Sequence, residues 1–249
     1  KINIRYNNNP LLKFFTSDDF PGLHAEPIRF NTKNGHQIVG NIYTNADVKD
    51  FSRVIIFFYG IGAGHLAYTK EINRLVTDNH LAVISYDNHG TGKSEGKNII
   101  DLSWALVDAD YCLRHLAGDD RFKHSQLILV GHSWGGYVAG NLIHINHDPR
   151  IVKAVVLNGL PSIVDVSTRY TKGKVLAKAY FGLISRIKMG RYANQSLLET
   201  LKRHRLPTLV AHGAYDPLVP LTFVEPIFDY AKTVNFIRPL IYPEHYHFV

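Results

Sequence analysis

Gly131-His132-Ser133-Trp134-Gly135 sets a serine between two glycines, directly after the apolar run from Gln126 to Val130 and before the helical pattern of Trp134 to Ile143. This Gly-x-Ser-x-Gly arrangement is the nucleophile-elbow pattern. A strand that must become a helix within a few residues forces the serine into strained backbone angles. It also leaves no room for side chains two positions away. A serine hydroxyl is a weak nucleophile at neutral pH, so the chemistry needs a base within hydrogen-bond reach and a group to orient that base. Downstream, Asp165 and Asp216 each follow a strand-like run, and His245 and His247 follow the last one.

The elements around these residues alternate. Strand patterns cover Ile28 to Asn31, Gln37 to Tyr43, Arg53 to Tyr59, Leu81 to Tyr86, 126–130, Ile151 to Leu157, Thr208 to Ala211 and Asn235 to Tyr242. Asn34-Gly35 favours a tight hairpin turn, because both residues tolerate positive φ. Helical patterns cover about His65 to Asn79, Asp101 to Leu116 with Asp101 as N-cap, 134–143, and about Phe223 to Lys232. Strands alternating with helices predict an α/β fold with a mainly parallel, doubly wound sheet. Residues 1–27 read as an N-terminal arm, 28–161 with 206–249 as the core, and 162–205 as a helical insertion. Within the insertion, Val175, Leu176, Ala179, Tyr180, Leu183, Ile184 and Ile187 fit one helical face. An insertion at the C-terminal ends of the strands is expected to cover the elbow as a cap, or lid.

Several classes are excluded. With one cysteine, Cys112, the chain forms no internal disulfide, and Cys112 is expected in buried packing. That usage fits a reducing compartment and a cytoplasmic location. No apolar stretch is long enough to span a bilayer. Gly60, Gly62 and Gly64 lack the Gly-Lys-Ser/Thr of a P-loop and the spacing of a dinucleotide turn. His144 and His147 lack the helical i, i+4 spacing of a zinc pair and an evident third ligand, so no metal and no cofactor are expected. The net charge of +7 is local: Ser162 to Leu206 holds ten basic residues and two acids. A solvated helix face accounts for such a run, and so does attraction of an anionic substrate or membrane surface. No nucleic-acid motif accompanies it.

Together, Tyr59-Gly60-Ile61-Gly62, the Gly-rich Asp87 to Gly96 stretch, Gly131 to Gly135, Asp216 and the terminal histidines resemble the α/β-hydrolase superfamily over residues 28–249. The cap makes the chain similar to serine esterases, monoacylglycerol lipases and acyl thioesterases. The resemblance implies the order nucleophile, acid, base. On it, Ser133 is the nucleophile, Asp216 the acid ahead of Asp165, and His247 the base ahead of His245, because an apolar residue follows His247. It also implies oxyanion donors at the Trp134 and Ile61 N–H groups, substrate contacts at Tyr59, Gly60 and His132, and a structural role for Asp87 to Gly96 as a wall of the site. The expected substrate is a small acyl ester or thioester, with an anionic part drawn by the basic cap. A non-catalytic binding protein is the alternative from another class. Tyr59 stands where relatives commonly carry histidine. Because the chain opens on Lys1 and stops two residues after His247, further sequence is expected at its ends.

Overall fold

The computed structural model describes residues 12–97, 101–168 and 171–247. The first eleven residues of the expected arm, Arg169 and Phe248-Val249 lie outside these. Eight strands form one sheet: β1 (His24–Asn31), β2 (Gln37–Thr44), β3 (Arg53–Phe58), β4 (Ala82–Tyr86), β5 (Gln126–His132), β6 (Ile151–Leu157), β7 (Thr208–Gly213) and β8 (Ile237–Tyr242). Their spatial order is β1-β2-β4-β3-β5-β6-β7-β8. The β1–β2 and β2–β4 pairs are antiparallel, and every pair from β4 onward is parallel.

β3 shows why the central strands read as unbroken apolar runs. Val54, Ile56 and Phe58 face one core and Ile55 and Phe57 the other, because side chains alternate across the pleat. The first core lies under α2 (Trp104–Gly118) and α3 (Trp134–Asn146); the second lies under α1 (Thr69–Asn79), which buries Ile72 and Val76. With helices on both faces, Val54 to Phe58 are all buried. Cys112 is buried in the first core. A third cluster joins Val156 and Val210 of the sheet to α6 (Leu197–Arg203) and α7 (Glu225–Ala231).

Between β6 and β7 the chain forms α4 (Ile163–Ser167), α5 (Lys174–Met189) and α6. Its one described contact with strand-like pairing is the isolated bridge between Ser162 and Ser196. α6 buries Leu197 and Leu201 in the third core. In α5 the buried residues are Ser185 and Met189, while Val175, Leu176, Tyr180, Leu183 and Ile187 of the expected apolar face are exposed. Periodicity marks an amphipathic helix without saying which side meets the protein.

Asn34-Gly35 lies in the turn of the β1–β2 hairpin, where Gly35 has φ 76° and Asn34 is not among the positive-φ residues. Thr32 carbonyl accepts from Gly35 N–H at 2.9 Å, so a turn precedes a left-handed glycine. Asp101 is not the cap of α2. That position falls to Ser103, and the Asp101 carboxylate accepts from Ser103 N–H at 2.7 Å, closing the turn before the helix. Among the described residues no helix is long and apolar enough to cross a membrane.

Candidate active site

β5 runs straight into α3, and Ser133 is the residue between them. Its φ of 56° and ψ of −116° are rare for a residue with a Cβ. The turn is locked on both sides. A Cβ on Gly131 would collide with the Gly135 carbonyl, and one on Gly135 with the Phe58 carbonyl. Both obstacles are backbone and cannot swing away. Gly135→Ala is therefore expected to destabilise the fold by about 3 kcal/mol or more, the upper range for overpacking. A lowered urea midpoint with unchanged slope would show it.

Three loops converge on the serine. The Ser133 hydroxyl lies 2.8 Å from His247 Nε2, and His247 Nδ1 lies 2.7 Å from Asp216 Oδ2. All three residues are buried. Asp216 follows β7, and its Oδ1 accepts from the N–H groups of Leu218 and Val219, both at 2.8 Å. Asn158, after β6, donates to Asp216 Oδ2 at 2.7 Å and to the Tyr246 carbonyl at 2.9 Å. Burial alone would raise the Asp216 carboxyl. The bonds from His247, Val219 and Asn158 outweigh it and hold the group down to about 2. An ionised Asp216 accepts a hydrogen bond from Nδ1–H, so Nε2 presents its lone pair to the serine hydroxyl.

The same shift has a stability consequence. A depressed carboxyl stabilises the fold fully above the unfolded value of 3.8, and that contribution is lost as pH falls toward about 2. The stability gap between the wild type and Asp216→Asn should narrow across that window, as read from urea midpoints.

A second set of bonds links the loop after β3 to His247. Gly60 N–H donates to the Tyr68 hydroxyl at 3.3 Å. The Tyr68 hydroxyl meets His132 Nδ1 at 2.7 Å, and His132 Nε2 meets the His247 carbonyl at 2.7 Å. A carbonyl only accepts, so His132 Nε2 carries the proton and Nδ1 accepts from Tyr68. Burial lowers His132 to about 4, keeping it neutral. His132 thus holds the backbone of His247. Gly60 lies against the serine, since a Cβ there would stand 3.4 Å from Ser133 Cβ. Ile61 lies in the turn closed by Ala63 N–H on the Gly60 carbonyl, with its side chain 46% exposed. Trp134 is the first residue of α3, where backbone N–H groups have no partner within the helix.

The remaining candidates sit elsewhere. His245 is exposed and its ring lies against Tyr242, 5.2 Å between centroids. Asp165 lies in α4, paired with Lys178 at 2.5 Å. Tyr59, expected at the substrate, is turned into the core: it is 1% exposed, meets Thr91 Oγ1 at 2.6 Å and accepts from Asn88 N–H at 2.7 Å. A tyrosine after a buried strand keeps the strand's alternation, and its hydroxyl ties down the 88–91 loop. Asp87 in that stretch is also buried, 2.8 Å from His65 Nδ1. His144 Nδ1 lies 3.0 Å from His204 Nε2. Among the described residues no group of three or more His, Cys, Asp or Glu is disposed to hold a metal ion. Asn158 and Tyr68 carry no motif in the sequence that marks their contacts with Asp216 and His132. Asn158 follows a strand end and has φ 46°, a place where asparagine serves turns as readily as sites.

Comparison with known proteins agrees with this frame. A family profile described as the alpha/beta hydrolase fold matches residues 53–171. The putative carbamate hydrolase RutD of Yersinia enterocolitica is 26% identical over 118 residues, a match spanning 47% of this chain and 40% of that protein. The Pyrococcus furiosus esterase Pf2001 superposes with a TM-score of 0.73 at 15% identity, over 98% of this chain and 91% of that one. An acetyl xylan esterase from Paenibacillus sp. R4 superposes at 0.69 with 13% identity, over 94% and 82%. At such identities these structures speak to the fold alone. The profile match over 53–171, the strand order and these superpositions together show that the chain has the α/β-hydrolase fold.

Proposed function

We propose that the chain is a serine hydrolase that cleaves carboxylic esters through an acyl-enzyme. One observation carries the reading: the Ser133 hydroxyl is 2.8 Å from a histidine nitrogen whose partner nitrogen is 2.7 Å from Asp216. Ser133 Oγ attacks the ester carbonyl carbon while His247 Nε2 takes its proton. The N–H groups of Trp134 and Ile61 receive the negative charge that develops on the carbonyl oxygen. The tetrahedral intermediate collapses, His247 returns the proton to the departing alkoxide, and the acyl group stays on Ser133. Water then attacks the acyl-enzyme with His247 again as base, releasing the acid and restoring the hydroxyl. Asp216 keeps the imidazole in its Nδ1–H form and stabilises its positive charge. The chain's own residues supply every proton transfer in this scheme.

A thioester of coenzyme A or an acyl-carrier protein is the second reading. The ten basic residues between Ser162 and Leu206 favour an anionic leaving group. A carbamate carbonyl, the bond named for the Yersinia relative, would meet the same residues. The test is a fluorophosphonate probe followed by a substrate panel. Capture of the wild type and none of Ser133→Ala supports an active nucleophile. An unreactive folded wild type means a binding protein and overturns the proposal. On p-nitrophenyl esters of graded length beside acyl-CoA thioesters and an aryl carbamate, the faster class by kcat/KM names the leaving group.

A further inference from the structure

α5 turns apolar surface to water. Leu176, Tyr180, Leu183 and Ile187 follow one another at steps of four, three and four, so they share one side of the helix. They are 79%, 62%, 59% and 71% exposed, and Val175 beside them is 81% exposed. The buried Ser185 and Met189 lie on the opposite side and hold the helix to the protein. A contiguous apolar stripe three turns long on an exposed helix calls for an occupant.

Charge selects it. α5 carries Lys174, Lys178, Arg186 and Lys188 and no acidic residue. Arg186 and Lys188 flank Ile187, about 100° around the helix in either direction. Lys178 meets Asp165, which belongs to α4. A second copy would bring the same cations against these, and like charges on two packed helices repel. An anionic lipid surface offers both requirements at once: hydrocarbon for the stripe and negative headgroups for the flanking cations. We infer that α5 is a docking helix for anionic bilayer surfaces, lying in the interface with Leu176, Tyr180, Leu183 and Ile187 inserted. The segment bearing it leaves the sheet beside the elbow, where Leu160 N–H donates to the Ser133 carbonyl at 3.2 Å. The inference stands without the hydrolase reading.

The full chain is tested by co-sedimentation with vesicles of phosphatidylglycerol and phosphatidylcholine, beside phosphatidylcholine alone. Binding to the anionic vesicles is expected to be about 25-fold tighter, at roughly fivefold for each of Arg186 and Lys188. Leu183→Ser/Ile187→Ser should weaken it by about 100-fold. Arg186→Gln/Lys188→Gln should weaken it about 25-fold and flatten its salt dependence. These positions are exposed, and unchanged circular dichroism would show that folding is intact. The natural tryptophans, Trp104 and Trp134, are both buried. A Leu183→Trp variant adds an exposed one, whose emission should shift to the blue on anionic vesicles. Ser133→Ala should bind as the wild type does, which separates this test from that of hydrolysis. Equal binding to neutral vesicles would overturn the inference, as would binding that survives Leu183→Ser/Ile187→Ser. A lipid-free dimer dissolved by that same pair would also overturn it, by making a second copy the occupant.

Discussion

Ser133→Ala is expected to lower kcat for a p-nitrophenyl ester by about 10⁶-fold while leaving the fold intact. Loss of the nucleophile in a serine–histidine–aspartate arrangement has an effect of that order, because the three groups act as a unit. Here the unit is closed: His247 Nε2 has the serine oxygen at 2.8 Å, and His247 Nδ1 is committed to Asp216. Water left in place of the hydroxyl would have the base but not the position. What activity survives would come from the N–H groups at Trp134 and Ile61 acting on a bound ester. Because the effects are not additive, Ser133→Ala/His247→Ala should be scarcely slower than Ser133→Ala. Single-turnover kinetics with an intact-mass check for acyl-enzyme would read both. A Ser133→Ala protein that kept even a tenth of wild-type turnover would remove Ser133 from the mechanism.

Asp216→Asn is the second large expectation, a fall of about 10⁴-fold in kcat near neutral pH. Both carboxylate oxygens accept. Oδ1 receives the Leu218 and Val219 N–H groups, and Oδ2 receives His247 and Asn158. An asparagine side chain has only one accepting end. If its oxygen serves the two backbone N–H groups, its NH₂ faces His247 Nδ1 and Asn158 Nδ2, two groups that themselves donate. The imidazole then moves its proton to Nε2 and can no longer take one from Ser133. The signature is a drop in kcat with KM little changed. The prediction fails if the variant keeps wild-type turnover at neutral pH.

The sequence carried the sheet because its strands are covered on both faces, and that condition writes itself as short unbroken apolar runs such as Val54 to Phe58. The elbow was legible for a different reason. Gly131 and Gly135 are required by backbone collisions that no other residue escapes, so the motif is a steric signature. The rest was hidden where one residue type serves two purposes. Tyr59 reads equally well as a site lining or as a core tyrosine bonded to Thr91, and burial decides. Asn158 and Tyr68 act through long-range bonds to Asp216 and His132, and spacing along the chain holds no trace of them. His245 and His247 differ by the period of a strand, so local pattern points both the same way. The route of the chain past Gly213 separates them: a Cβ there would meet the carbonyls of Tyr246 and His245. α5 shows the limit of periodicity, which finds a two-sided helix but not its orientation.

Asp216 follows β7 and His247 follows β8, which among the described residues is the outermost strand and has β7 as its one neighbour in the sheet. Ser133, by contrast, rises from the interior of the sheet. The proposed proton acceptor is thus delivered by a margin that can fray while the centre holds, since opening free energies differ from region to region. A molecule with that margin momentarily loosened would look native to most spectroscopy and yet be chemically silent. Turnover would then report the integrity of one border of the protein more sensitively than any measure of its bulk.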